Sequence, residues 1–156
     1  PPRSTPLYSS AASDVYKRQL LYIAYDETDE YAHEGKYDQY LIAANLLDKY
    51  VAEMWNWTKK NYHYNNKTTI LITTDHGRGH KKMDSWRNHG SSVTGAEHVW
   101  MAVLGPDTPP RGEILDGEPM TSSQIAATIS AFLGFRYSNK QPVGPVMNSM
   151  FSDIKR

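Results

Sequence analysis

The stretch Thr69-Ile70-Leu71-Ile72-Thr73-Thr74 is apolar, β-branched and of strand length, and it runs directly into Asp75-His76-Gly77-Arg78-Gly79. Stiff β-branched side chains pack well on a pleated surface, so the stretch reads as a strand. The abrupt change to acid, imidazole and glycine marks where that strand stops. A carboxylate and an imidazole therefore stand side by side at the end of a sheet element. Asp29-Glu30-Tyr31-Ala32-His33-Glu34-Gly35 upstream and Asn88-His89-Gly90 downstream bring in carboxylate and imidazole again. That donor set suits divalent cations. The chain has no cysteine, so any ion must be held by His, Asp and Glu.

The pattern around these motifs is that of an α/β protein. Leu20-Leu21-Tyr22-Ile23-Ala24-Tyr25 is a short apolar run that predicts a strand, with Asp26 to Gly35 as the loop at its carboxyl end. Tyr37, Tyr40, Leu41, Ala44, Leu47, Val51, Met54 and Trp55 recur at spacings of three and four, which predicts an amphipathic helix ended by the polar Asn61 to Lys67. The segment from Asp75 to Ala96 predicts a long loop, a length that in a compact domain points to function or disorder. Val99 to Leu104 predicts a further strand stopped by Gly105-Pro106. Thr121 or Ser122 can cap a last helix with a stripe of Ile125, Ile129, Phe132 and Leu133, closed by Gly134. Apolar strands alternating with helices predict a largely parallel sheet with helices on both faces, and ligands outside the carboxyl ends of its strands.

Residues 1–19 differ from the rest. Pro1 to Ser13 is rich in Pro, Ser and Ala without periodicity, which predicts a disordered leader, and it lacks the apolar core of a signal peptide. Asp14-Val15-Tyr16-Lys17-Arg18-Gln19 resembles the translation of a transposon end used in sequencing libraries, so the natural sequence is expected to begin near Leu20. Residues 20–156 then form the domain proper. Acidic and basic residues number 17 each, which leaves no basic footprint for nucleic acid. No run is long and apolar enough to span a membrane. The compartment stays open: a signal peptide in an upstream portion would send the protein to the periplasm or outside the cell.

Asp29 and His33 are four apart, so one helical turn or a tight loop can aim both at a single ion. Asp75 and His76 are neighbours and would face opposite ways in a regular strand. The strand must end there for both to reach one ion, with Gly77 and Gly79 supplying backbone freedom. His89 sits in a polar loop, and His98, at the edge of the next strand, is the alternative to it. Asp29 in its acidic surroundings also reads as part of a solvated loop, and Asp75 as a turn former. Arg78 is a candidate for bidentate phosphate contact, whereas His80, Lys81 and Lys82 read first as a solvated charged loop.

Taken in order, Asp29-x-x-Ala32-His33-x-Gly35, the strand closing on Thr74-Asp75-His76-Gly77, then His89-Gly90 and the apolar strand ending on Gly105-Pro106 resemble the alkaline phosphatase superfamily. That superfamily includes phosphatases, nucleotide pyrophosphatase/phosphodiesterases, phosphonate hydrolases, arylsulfatases and cofactor-independent phosphoglycerate mutases. The resemblance runs from about Leu20 to the C-terminus and corresponds to the C-terminal half of the family's domain. It implies one complete metal site of Asp29, His33 and His89. Asp75 and His76 would serve a second site, whose other ligands are an Asp and the Ser or Thr nucleophile of the N-terminal half. It implies two divalent ions, zinc first and manganese or magnesium as alternatives, acting on a small phosphate mono- or diester or a sulfate ester. Two such ions can clamp a phosphoryl group and stabilise the departing oxygen. With no evident nucleophile, these 156 residues alone are expected to be inactive. The rival readings are a phosphoglycerate-mutase-like isomerase, a sulfatase and, from another class, a noncatalytic metal-binding or interaction domain.

Overall fold

The computed structural model describes residues 20–152; the expected leader, residues 1–19, lies outside them. The chain divides into two compact units. Among these residues, one takes in 20–65 together with Gly77–His98, the other Asn66–His76 together with 99–152.

The first unit is built on two helices, α1 (Glu27–His33) and α2 (Tyr37–Lys60), packed on each other. Ala32 is fully buried and Ala43 nearly so; such small side chains let helices approach closely. The turn between the helices is set by Gly35, whose φ of +72° is a conformation that side chains with a Cβ rarely adopt. The Gly35 N–H donates to Ala32 O at 2.9 Å and the Lys36 N–H to Tyr31 O at 2.8 Å, so the last carbonyls of α1 are satisfied by a Schellman turn. The periodic stripe of α2 forms the helix expected of it. Part of that stripe stays open to solvent, with Tyr37 and Leu41 exposed, as is Ile42 beside it.

Two expectations for this unit are corrected. Asp26 to Gly35 is a helix for most of its length, because Glu27, Asp29 and Glu30 place negative charge in a first turn where the helix dipole favours it. Leu20 to Tyr25 is no strand: it pairs with no neighbour among the described residues, and Tyr22 is 86% exposed. An apolar run becomes a strand only when another backbone takes its hydrogen bonds.

In the second unit, β1 (Ile70–Thr73) and β2 (Met101–Leu104) pair in register from Ile70 opposite Leu104 to Thr73 opposite Met101. The pairing is antiparallel, where a largely parallel sheet was expected, and this two-stranded pair is the whole sheet among the described residues. Alternating helix and strand patterns do not by themselves fix strand direction, and here one strand returns beside the other. The chain is thus an α/β protein with a small sheet. The Thr73 hydroxyl adds a bond to Trp100 O at 3.0 Å.

Thr121 caps the last helix as expected. Its N–H donates to Gln124 Oε1 at 2.8 Å in a capping box, and a 3₁₀ turn, Ser122–Gln124, leads into α3 (Ile125–Phe132). Gly134, at φ +77°, closes α3 through Phe135 N–H to Ser130 O at 2.8 Å. The core of this unit lies where α3 meets the chain's last described turn: Ala127, Thr128, Met147 and Met150 are buried, and the Phe132 and Phe151 rings stack at 4.1 Å.

Thr128 is fully buried, and its hydroxyl donates to Gln124 O at 2.8 Å while accepting the Met147 N–H at 3.0 Å. Thr128→Val keeps the shape and leaves that buried N–H unpaired, which costs about 1–3 kcal/mol. Thr128→Ser keeps the acceptor and should lose much less. Urea denaturation of the two variants checks this, and equal midpoints would show that the hydroxyl does not hold the turn to α3.

Candidate metal centre

Asp29 and His33 lie on one face of α1, one helical turn apart, which is where the i, i+4 spacing must put them. His33 Nε2 stands 3.4 Å from Asp29 Oδ2. His89 reaches the same point from 56 residues further along: its Nε2 is 3.0 Å from His33 Nε2 and 3.7 Å from Asp29 Oδ1. The loop that delivers it is folded by local bonds. A 3₁₀ turn, Ser85–Arg87, is closed by Asn88 N–H to Ser85 O at 3.0 Å and anchored by Trp86, whose ring meets Tyr37 edge-on at 5.2 Å. Gly79, buried and six residues before the turn, donates its N–H to Asn88 O at 3.3 Å just after it.

The donor set fits a divalent ion. Ligand atoms of Asp29, His33 and His89 all lie within 4.8 Å of one another. Four donors about 2.0–2.1 Å from a tetrahedral ion stand about 3.3–3.4 Å apart; the two imidazole nitrogens, 3.0 Å apart, and their distances of 3.4 and 3.7 Å to the two Asp29 oxygens are of that order. Two imidazole nitrogens 3.0 Å apart can share one proton between them or both turn a lone pair to a cation. His33 is partly exposed, which leaves a way in for an ion and a fourth ligand.

Arg78 is held against the same carboxylate, its Nη2 on Asp29 Oδ1, while its Nη1 approaches Arg87 O at 3.5 Å. Desolvation opposes the charge on Asp29, but the Arg78 guanidinium, with smaller help from His33 and His89, holds the carboxyl below its ordinary value. Arg78, expected at a substrate phosphate, is thus engaged with a candidate metal ligand.

Asp75 and His76 belong to the second unit. The His76 N–H donates to Asp75 Oδ1 at 2.9 Å and its ring Nε2 is 3.7 Å from the same oxygen, with Asp75 itself largely exposed. Among the described residues they join no three-ligand group. The role expected of Gly77 is different in fact. Its φ is not positive; a Cβ there would collide with the carbonyls of Gly95 and His98, and its N–H donates to Ala96 O at 2.8 Å, so glycine is needed for close backbone approach. His98 is turned to Glu97 at 3.9 Å and stacks on His80 at 6.3 Å. Reading the sequence passed over Arg87, whose guanidinium donates to His33 O at 3.1 Å; nothing but its place two residues before His89 marked it.

Arg78→Met should raise the titration of the Asp29 carboxyl towards its ordinary value, read by carbon NMR of the carboxyl group without metal. Because the folded value is depressed, the contact adds stability above the ordinary carboxylate range and loses it as pH falls through the folded value. An unmoved Asp29 titration in the variant would show that Arg78 does not set the charge.

A family profile described as Metalloenzyme superfamily matches residues 8–136. The 2,3-bisphosphoglycerate-independent phosphoglycerate mutase of Mycoplasmopsis synoviae (strain 53) is 32% identical over 76 residues, 49% of this chain and 14% of that enzyme. The chain thus spans about one seventh of the length of this curated relative. No solved structure gives a significant match. No helix among the described residues is long and apolar enough to cross a membrane. With the profile covering most of its length and a carboxylate and two imidazoles meeting at one point, the chain belongs to the Metalloenzyme superfamily.

Proposed function

We propose that this chain is the metal-bearing, C-terminal part of a divalent-metal-dependent hydrolase of phosphate mono- or diesters. The observation that carries the reading is the meeting of Asp29, His33 and His89, three ligands of mixed oxygen and nitrogen type. Zinc suits two imidazoles and one carboxylate with a position left for water or substrate, and manganese is the next choice. Such an ion, when bound, offsets the negative charge of phosphoryl oxygens. The side chains do the rest. Asp29, His33 and His89 would hold the ion, Asp29 would offset part of its charge, and Arg78, beside the same carboxylate, would take an anionic substrate oxygen. Asp75 and His76 are assigned to a second ion, completed by groups on the rest of the family's domain. We assign the β1–β2 pair to a larger, mostly parallel sheet in that domain.

A second reading is favoured by the phosphoglycerate mutase relative: the same site would keep the phosphoryl group and return it to another hydroxyl of a small substrate. The two differ in whether the phosphoryl group ends on water, releasing inorganic phosphate from a monoester or a monoester from a diester, or on another hydroxyl of the substrate.

Dialysed against zinc, the chain should retain about one ion tightly and a second weakly, and His33→Ala should lose the tight one. Metal analysis finding none in folded protein would remove the proposal. Binding should weaken in acid, where protons compete for the imidazoles. These residues alone should not turn over p-nitrophenyl phosphate, bis(p-nitrophenyl) phosphate or 3-phosphoglycerate. Turnover abolished by His89→Ala would refute the missing nucleophile: phosphate release would then select the hydrolase, and formation of 2-phosphoglycerate without release the mutase.

A further inference from the structure

The three candidate ligands come from two pieces of chain, the end of α1 and the loop 85–90, and something must hold those pieces in register. We infer that Arg87 is the positioning residue that does so, tying the loop of His89 to the helix end of His33 so that the third ligand is in place before an ion arrives. The inference rests on the metal reading of Asp29, His33 and His89.

Four observations converge. Arg87 Nη2 donates to the backbone carbonyl of His33 at 3.1 Å, on a carbonyl the helix itself cannot use. Its guanidinium lies close against Gly35: a Cβ on that residue would stand 2.9 Å from Arg87 Cζ and 3.0 Å from Nε, so the absence of a side chain there admits the arginine as well as the turn. The Arg87 N–H donates to Asp84 O at 3.2 Å within the 3₁₀ turn, which fixes the backbone the side chain springs from. His89 follows two residues later, its Nε2 3.0 Å from the ring of the residue whose carbonyl Arg87 holds. One side chain thus bridges both ligand-bearing pieces, with a positive group at the negative end of a helix dipole. Arg78 differs in kind, since it meets a candidate ligand's carboxylate and would compete with an ion for it, whereas the Arg87 bond falls on a backbone carbonyl.

The test uses the full chain with Arg87→Met, which keeps an aliphatic stem and removes the donors, Arg87→Lys, which keeps the charge and an ammonium donor but not the planar fork, and His33→Ala as the control on the metal reading. Zinc affinity is measured by competition with a chromophoric chelator, cobalt is used as a spectroscopic stand-in, and amide exchange of residues 85–90 is followed without metal. Arg87→Met should bind zinc about 10–100-fold more weakly, the range for groups that orient ligands. It should also change the visible cobalt bands and exchange faster over 85–90, with Arg87→Lys recovering part of each. Wild-type affinity and exchange in Arg87→Met, with His33→Ala unable to bind, would overturn the inference and leave the metal site standing. If the unaltered chain binds no metal, the site fails and the exchange arm decides alone: faster exchange upholds the tie, unchanged exchange removes it.

Discussion

Asp29 and His33 stand four positions apart on one short helix, and the helix that enforces this spacing is the constraint on which the candidate site depends. Seven residues are too few to be helical in water without help, because nucleation costs more than so few hydrogen bonds return. The help is tertiary. Ala32 is packed out of reach of solvent, the Schellman turn at Gly35 takes up the last carbonyls, and Arg87 takes the carbonyl of His33. The ligand geometry is therefore a property of helix packing rather than of the acidic sequence around Asp29. Loosening α1 from α2 would scatter two ligands at once.

Charge is distributed around a single carboxylate. Asp29 meets Arg78, His33 and His89, three groups that each favour its ionised form. An ion arriving here finds a carboxylate already ionised, as coordination requires, but also already engaged by a guanidinium. Affinity is then a difference between two cations' claims on one oxygen pair. Sites of this kind are tuned by whatever sets the reach of the arginine.

Much of this was legible in the sequence and some was not, for reasons that differ by residue. The stripe from Tyr37 to Trp55 encodes α2 because helical periodicity is a local signal, and Thr121 with Gln124 encodes its cap for the same reason. The spacing of Asp29 and His33 was readable whether the backbone there coiled or looped. Leu20 to Tyr25 misled because apolar content says nothing about whether a partner strand is at hand, and the direction of β1 against β2 is likewise set by distant chain. The partners of Arg78 and Arg87 lie 49 and 54 residues away, and no local pattern encodes a contact of that range.

The innermost strand pair, Thr73 opposite Met101, is closed across a long excursion of chain that includes His89 and both arginines. The entropy of closing such a loop grows only with the logarithm of its length, about 0.6 kcal/mol for each doubling. The hydrogen-bonded ladder is accordingly almost indifferent to how many residues the excursion contains. Insertions into it should cost β1 and β2 little, which makes this the stretch where a lineage can acquire new surface around the candidate ligands without rebuilding the strand pair.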